Sequence, residues 1–344
     1  MRENAELLGQ MMRDQAPQAP VYQPGPYWIG YQARSYRAIR QLGINAFRAE
    51  PAIGKGFADV VITDPFAGFA NRGARFAQLL ATIWPISSIV GEYQTLLRAR
   101  IEQRRQFQSM AFDHRFGEIV REVRDRIPDT LHGGTEEVLD VGGQRIAAVY
   151  VDALARLWNF RASGVAFEST TSYIEIGGGF GAGTHLLLSL FPNVRKVVYV
   201  DIPPMIYVAT EYLRHFFGDA VRDYGQTRML NRIGFSSDTT REILCLCPWQ
   251  VPKLETKADF LFNASSFSEM TPEIVKNYAT HIGPNLSAAA RLLLILNKTK
   301  GSARTTAPAD IFGAFAPSFR CDVFIPKWEM PGAPVYALGT RVRA

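Results

Sequence analysis

The chain has 344 residues, of which 47% are hydrophobic and 20% charged, with a formal net charge of +6. This composition is ordinary for a soluble globular protein with one large or two ordinary domains. The basic residues are scattered and no basic–aromatic array accompanies them, which argues against nucleic-acid binding. No apolar run reaches the ~18 residues of a membrane helix, no secretory signal is recognisable, and three cysteines are too few for a disulfide framework. We therefore expect a cytoplasmic protein without nucleic-acid or membrane partners.

The first part of the chain, residues 1–140, is predicted to form a helical cap or lid beside a core domain at residues 141–344. Amphipathic patterns between residues 76 and 110 indicate helices, and no sustained strand alternation is present. The proline-rich stretches within residues 16–28 favour an extended arm. Because aromatic side chains occur from Tyr22 to Tyr31, we expect this arm to pack on the rest of the protein and to cover the site.

From residue 172 onward, apolar strand patterns alternate with helical patterns, which predicts a mostly parallel sheet. The five predicted parallel strands are residues 172–176, 196–200, 242–246, 258–262 and 292–296. Two final strands, 321–325 and 335–340, are separated by a segment too short for a crossover helix, so they should form an antiparallel hairpin. This layout is that of class I methyltransferases, whereas a dinucleotide-binding fold would add a sixth parallel strand. The predicted fold is α/β, with a Rossmann-like methyltransferase sheet.

A glycine-rich turn follows the first of these strands. Glu175 lies near the end of the strand, Gly177, Gly179 and Gly181 follow it, and Asp201 comes directly after the second strand. Glycines allow the backbone to approach a ligand, and the second acid can bind ribose hydroxyls. A carboxylate just before the glycines disfavours a pyrophosphate and suits a ligand with a cationic amino-acid end. The pattern therefore favours S-adenosylmethionine (SAM) as cofactor, with NAD as the alternative.

Further cofactor-binding residues are expected after the strands, because ligands of open α/β sheets bind beyond the carboxyl ends of the strands. Ile202 and Met205 follow the second strand and are predicted to lie against the adenine. Asn263 and Ser265 follow the fourth strand, where their polar groups can bind the methionine end of SAM or an acceptor hydroxyl. Asp201 has the alternative role of capping the helix that follows it.

Three residues are candidates for the base that removes a proton from the acceptor. Glu269 is the first choice, because it follows the fourth strand where the methyl group and the acceptor would meet. His185 lies in the first turn of the helix after the glycines, and His281 lies near the end of the helix after the fourth strand. All three have structural alternatives, since an acid also suits a helix N-terminus and histidines often pack. No HxxxH, ExxH or CxxC spacing is present, so no metal site is predicted, although distant acids are not covered by such patterns.

Four segments resemble the sugar O-methyltransferase family of bacterial polysaccharide and natural-product clusters. They are Glu175–Gly181, Val200–Pro203, Asn263–Met270 and Leu296–Asn297, of which the third is the most specific. The resemblance implies a class I fold, SAM as methyl donor, and an acceptor hydroxyl on a sugar-containing small molecule. A non-sugar acceptor methylated at oxygen or nitrogen, and a non-catalytic SAM-binding scaffold, are the alternatives. The sequence is compatible with a monomer or a homo-oligomer.

Overall fold

The computed structural model describes residues 4–50, 53, 106, 108–135, 137–236, 238, 240–297, 305–328 and 334–342. The predicted amphipathic run at 76–84 lies outside the described residues, and the run at 93–110 lies almost entirely outside them. The described helices are Ala5–Gln15, Ile29–Leu42, 108–122, Ala148–Ala162, Ala182–Leu190, Met205–Phe217, Tyr224–Thr227, Pro272–Ile282 and Pro308–Phe315. No helix in this part of the chain has both the length and the apolar character needed to span a bilayer.

Ten strands are described, numbered here in chain order. They are β1 (Val138–Val141), β2 (Gln144–Ala147), β3 (Ser172–Ile176), β4 (Lys196–Val200), β5 (Val221–Arg222), β6 (Glu242–Leu246), β7 (Ala258–Ala264), β8 (Leu286–Leu296), β9 (Phe319–Phe324) and β10 (Val335–Arg341). β1 and β2 form a separate antiparallel hairpin. The other strands form one sheet in the order β5-β6-β4-β3-β7-β8-β10-β9.

The sheet confirms the predicted class I methyltransferase layout. β6, β4, β3, β7 and β8 are parallel neighbours, and β10 runs antiparallel to both β8 and β9. The predicted bounds of β3, β4 and β6 are those of the structure, while β7 extends to Ala264 and β8 begins already at Leu286. The sequence did not indicate β5, which has two residues and pairs in parallel with β6.

Both faces of the central sheet are covered, so its parallel strands are apolar on both sides. Successive residues of β3 point to opposite faces, with Tyr173 in one hydrophobic cluster and Ile174 in the other. Cys245 and Cys247, two residues apart, belong to the same cluster as Tyr173 and are fully buried. The strands are thus fixed by packing on two sides, which fixes the positions of the residues that follow them.

The N-terminal segment packs directly on the sheet domain. Leu7, Leu8 and Met11 are buried in the same cluster as Tyr173. The predicted extended arm contains a 3-10 turn at Pro20–Tyr22, and the next helix begins at Ile29. The division into a cap at 1–140 and a core at 141–344 stays a prediction, and β1 lies across its boundary.

Candidate functional site

One cavity of about 400 Å³ lies at the carboxyl ends of the central strands. The ends of β3 and β4 and residues that follow them line one part of it; the segments Glu175–Gly183 and Val200–Met205 are here called the sheet wall. The N-terminal segment lies against it through Val21, Gln23, Pro24, Gly25, Tyr27 and Trp28; residues Pro20–Trp28 are here called the strap. The volume is within the range of small-molecule sites, which bury most of a ligand's surface.

The glycine turn is packed too closely for side chains. Gly177 has φ +68°, and a Cβ added there would lie 2.3 Å from Ser266 Oγ. A Cβ at Gly178 would lie 2.5 Å from the Tyr199 hydroxyl, which donates to the carbonyl of Gly179 at 2.8 Å. Gly177 and Gly179 line the cavity. Gly181 instead caps the helix Ala182–Leu190 with φ +100° and packs on the protein interior, so it shapes the turn from outside the cavity.

Glu175 is buried at the end of β3 and lines the cavity. Thr184 donates a hydrogen bond to its carboxylate and receives one from Tyr173 at 2.7 Å. Burial raises the pKa of Glu175 to about 7, and the hydrogen bond from Thr184 and the charge of Arg156 act in the opposite direction. A cationic group entering the cavity would therefore find a buried acceptor whose charge is poorly compensated.

Asp201 follows β4 and is held by two backbone amides. The amide of Gly179 donates to its Oδ2 at 3.1 Å, and the amide of Ile202 donates to its Oδ1 at 2.7 Å. Each oxygen of a carboxylate has about two lone-pair sites, so each can accept a further hydrogen bond from a ligand hydroxyl. Burial raises the pKa of Asp201 to about 7 against these amide bonds. Ile202 and Met205 also line the cavity, and their position against the adenine stays a prediction.

The loop after β7 is tied to the end of β3 by Asn263. The fully buried side chain of Asn263 donates to the carbonyl of Ile176 at 2.9 Å and accepts from the amide of Phe267 at 3.1 Å. Asn263 is not among the cavity-lining residues, so its polar groups position the loop. Ser265, in contrast, lines the cavity with the left-handed φ of +70°. Such backbone strain in a non-glycine residue is typical of functional loops.

Glu269 lies where this loop meets the strap. It lines the cavity, and the Trp28 side chain donates a hydrogen bond to it. Burial raises the pKa of Glu269 to about 7, and the bond from Trp28 lowers it in part. Gly25 approaches the same loop, since a Cβ added to it would be 3.5 Å from the carbonyl oxygen of Glu269. A carboxyl with a pKa near 7 is suited to proton transfer at neutral pH.

The two candidate histidines do not line the cavity. His185 is buried, its Nδ1 lies 2.6 Å from the Tyr150 hydroxyl, and its ring stacks on Phe216 at 3.8 Å. Burial lowers the pKa of His185 to about 3, so the ring is neutral. His281 is half-buried in the last turn of Pro272–Ile282. Of the three predicted bases, the structure brings only Glu269 to the cavity with Glu175 and Asp201.

An ion pair that sequence reasoning missed also lines the cavity. Asp152 and Arg156 lie one turn apart in the helix Ala148–Ala162, with Arg156 Nη2 2.5 Å from Asp152 Oδ2. The i,i+4 spacing on the helix preceding β3 was a usable signal, but it is common on solvated helices. Trp249, which follows β6, packs on Tyr224 and is not among the lining residues. Within the described ranges, no group of three or more His, Cys, Asp or Glu is arranged to hold a metal ion.

Comparisons with known proteins gave structural neighbours only. No family model matches the sequence, and the search of curated proteins gave no match. The mitomycin 7-O-methyltransferase is similar at 15% identity and a TM-score of 0.40, over 57% of this chain and 55% of its own. A SAM-bound magnesium protoporphyrin IX methyltransferase from Synechocystis is similar at 12% identity and a TM-score of 0.36, over 66% of this chain and 97% of its own. A TehB-like SAM-dependent methyltransferase from Corynebacterium glutamicum is similar at 14% identity and a TM-score of 0.34, over 57% of this chain and 99% of its own.

Proposed function

We propose that the protein is a SAM-dependent O-methyltransferase that acts on a hydroxyl of a small molecule. The observation that carries this proposal is one cavity lined by Glu175, the glycine turn, Asp201 and Glu269. The first three are the groups expected to hold SAM, and the fourth is a carboxyl with a pKa of about 7. The class I sheet places them all at one edge.

The cavity's residues fit SAM. Asp201 has lone pairs left for the ribose hydroxyls, and Ile202 and Met205 offer apolar surface to the adenine. Glu175 offers a carboxylate to the ammonium of the methionine end, and the closely packed glycine turn lets the ligand approach the backbone. When bound, SAM supplies a methyl group activated by its sulfonium.

The chain's own groups then have three tasks. The sheet wall aligns the donor, and alignment of two reactants can supply several kcal/mol of a barrier. The strap excludes water from the cavity. Glu269 accepts the proton of the acceptor hydroxyl at its carboxylate, which a pKa of about 7 permits near neutral pH.

The acceptor class is proposed from the resemblance and from the cavity. The resemblance favours a sugar-containing acceptor, and sugars can pack against aromatic rings such as those of Tyr27 and Trp28. The cavity lining also includes Met270, Ile274 and Tyr278. These apolar groups favour a second candidate, a non-sugar molecule that carries a hydroxyl on an apolar or aromatic frame.

The proposal is tested by conversion of SAM to S-adenosylhomocysteine (SAH) with two acceptor panels, one of sugars and nucleotide sugars and one of phenols and aliphatic alcohols. Turnover with either panel supports O-methylation and decides between the two acceptor classes. Binding of SAM without turnover with any acceptor would favour the scaffold alternative. Binding of NAD with no binding of SAM would overturn the proposal.

A further inference from the structure

Arg156 is a cationic side chain of the cavity lining that has no role in the reaction proposed above. Among the described residues that line the cavity, Arg156 is the only lysine, arginine or histidine, against the acids Asp152, Glu175, Asp201 and Glu269. A single cationic side chain among these acids offers a position for an anionic group of a ligand, because the guanidinium donors that Asp152 does not use need a partner once a ligand displaces water from the cavity.

The ion pair with Asp152 fixes the position of Arg156. The Asp152 side chain is 5% exposed and that of Arg156 is 29% exposed, so the buried carboxylate holds a guanidinium that stays accessible from the cavity. Arginine has five N–H donors in a planar fork, and the ion pair to Asp152 runs through Nη2. The remaining donors suit a second carboxylate, which guanidinium groups bind in a bidentate manner.

The position of Arg156 relative to the sheet wall identifies which carboxylate this is. Arg156 and Glu175 both line the cavity, and the charge of Arg156 lowers the pKa of Glu175. Asp201 accepts a hydrogen bond from the amide of Gly179, within the glycine turn that follows Glu175. A SAM molecule with its ribose at Asp201 and its ammonium at Glu175 has one anionic group, the methionine carboxylate, and this group lies next to the ammonium.

We infer that Arg156, held by Asp152, binds the α-carboxylate of the methionine end of SAM. This inference rests on the proposed function and adds a binding residue to the same site. Glu175 and Arg156 together then read a zwitterion: the acid takes the ammonium and the guanidinium takes the carboxylate. Ligands that lack the carboxylate are disfavoured because the guanidinium donors that Asp152 does not use would lose water without gaining an anionic partner.

The test compares SAM with decarboxylated SAM, which keeps the adenosine, sulfonium and amine and lacks only the carboxylate. Binding of both is measured by calorimetry without acceptor, so the result does not depend on turnover. The wild type should prefer SAM by about ten- to a hundredfold, as expected for a charge-assisted bidentate pair. Arg156→Gln should lose most of that preference while its affinity for decarboxylated SAM stays within about twofold, and Arg156→Lys should restore part of it.

A matched control is available on the same helix. Arg161 also forms ion pairs, with Glu122 and Glu168, and does not line the cavity, so Arg161→Gln removes the same charge and should leave both affinities unchanged. An unchanged SAM preference in Arg156→Gln, or an equal loss for both ligands, would overturn the inference and leave the proposed function standing. Failure of the wild type to bind SAM at all would overturn both.

Discussion

The sheet wall and the strap enclose the same cavity but are held in different ways. The sheet wall continues the parallel ladder, with the amide of Gly177 donating to Val200 at 2.8 Å and that of Asp201 donating to Leu246 at 3.3 Å. The strap's backbone hydrogen bonds are local, such as Trp28 to Gly25 at 2.8 Å. Side chains attach it to its surroundings, for example Trp28 to Glu269. We therefore expect the sheet wall to be a fixed surface for the donor, and the strap to be a cover on the acceptor side that opens at a low free-energy cost.

The comparison predicts that changes to the sheet wall alter SAM affinity, while changes on the strap side alter turnover. Four tests follow, in order of decreasing expected effect.

The largest effect is expected for Glu269→Gln. The amide keeps the size of the side chain but cannot accept a proton, so turnover should fall by about 10²–10⁴-fold while SAM affinity changes little. The exposed Glu273, in the first turn of the next helix, supplies the control Glu273→Gln, which should be as active as the wild type. An unchanged rate in Glu269→Gln would move the base to another group and leave Glu269 a structural role at the helix N-terminus.

Asp201→Ala tests the sheet wall. Loss of two charge-assisted hydrogen bonds to the ribose should lower SAM affinity by about 2–4 kcal/mol, measured by calorimetry. Asp201→Asn keeps one acceptor oxygen and should lose less. Asp219, an exposed aspartate in the turn Gly218–Ala220, provides the control Asp219→Ala. Unchanged SAM binding in Asp201→Ala would rule out the ribose assignment and leave Asp201 as a tie between backbone amides.

Much of the sheet wall could be predicted from sequence, because it depends on local patterns. Apolar runs mark buried parallel strands, and the acid and glycines near their ends identify the turn. Local sequence also led to His185 being proposed as a candidate base, because it closely follows the glycine turn. Gly183 and Leu187 are one turn apart and both line the cavity, so a residue midway between them is on the opposite side of the helix. The helical period therefore places His185 in the interior with Tyr150, although it is adjacent in sequence to the glycine turn.

The strap and Arg156 could not be located from sequence, because their positions depend on long-range contacts. The aromatic and proline-rich composition of the strap indicated that it packs, but not where. Its approach to Glu269 joins parts of the chain more than two hundred residues apart. The N-terminal helix also contributes core residues, namely Leu7, Leu8 and Met11. Deletion of residues 1–30 would therefore remove core packing as well as the strap. Point substitutions in the strap are therefore the cleaner test.

Trp28→Phe tests the strap without removing its packing. The substitution removes the indole N–H that donates to Glu269, so turnover should fall by about tenfold while SAM affinity changes by less than about twofold. Because this hydrogen bond lowers the pKa of Glu269, its loss should also move the acid limb of the rate profile to higher pH. Tyr31 belongs to the same aromatic group but does not line the cavity, so Tyr31→Phe is the control. An equal fall in SAM affinity and turnover would show that the strap forms part of the donor site.

The smallest effect is expected for the pH dependence of ligand affinity. Comparing SAM with SAH separates the effect of the ligand's charge from that of its shape. Glu175, Asp201 and Glu269 each have a pKa raised to about 7 by burial, so they become protonated as the pH falls through that value. SAM carries a sulfonium that SAH lacks, and the ionised carboxyls attract it. SAM affinity should therefore fall by about three- to tenfold between pH 8 and pH 6, and SAH affinity should fall less. Both ligands carry the amino group, so the difference between the two slopes reports the effect of the sulfonium, which includes its lowering of the amino group's pKa. Glu269→Gln should reduce that difference if the carboxyl on the strap side faces the sulfonium, and equal slopes for SAM and SAH would place the three carboxyls away from it.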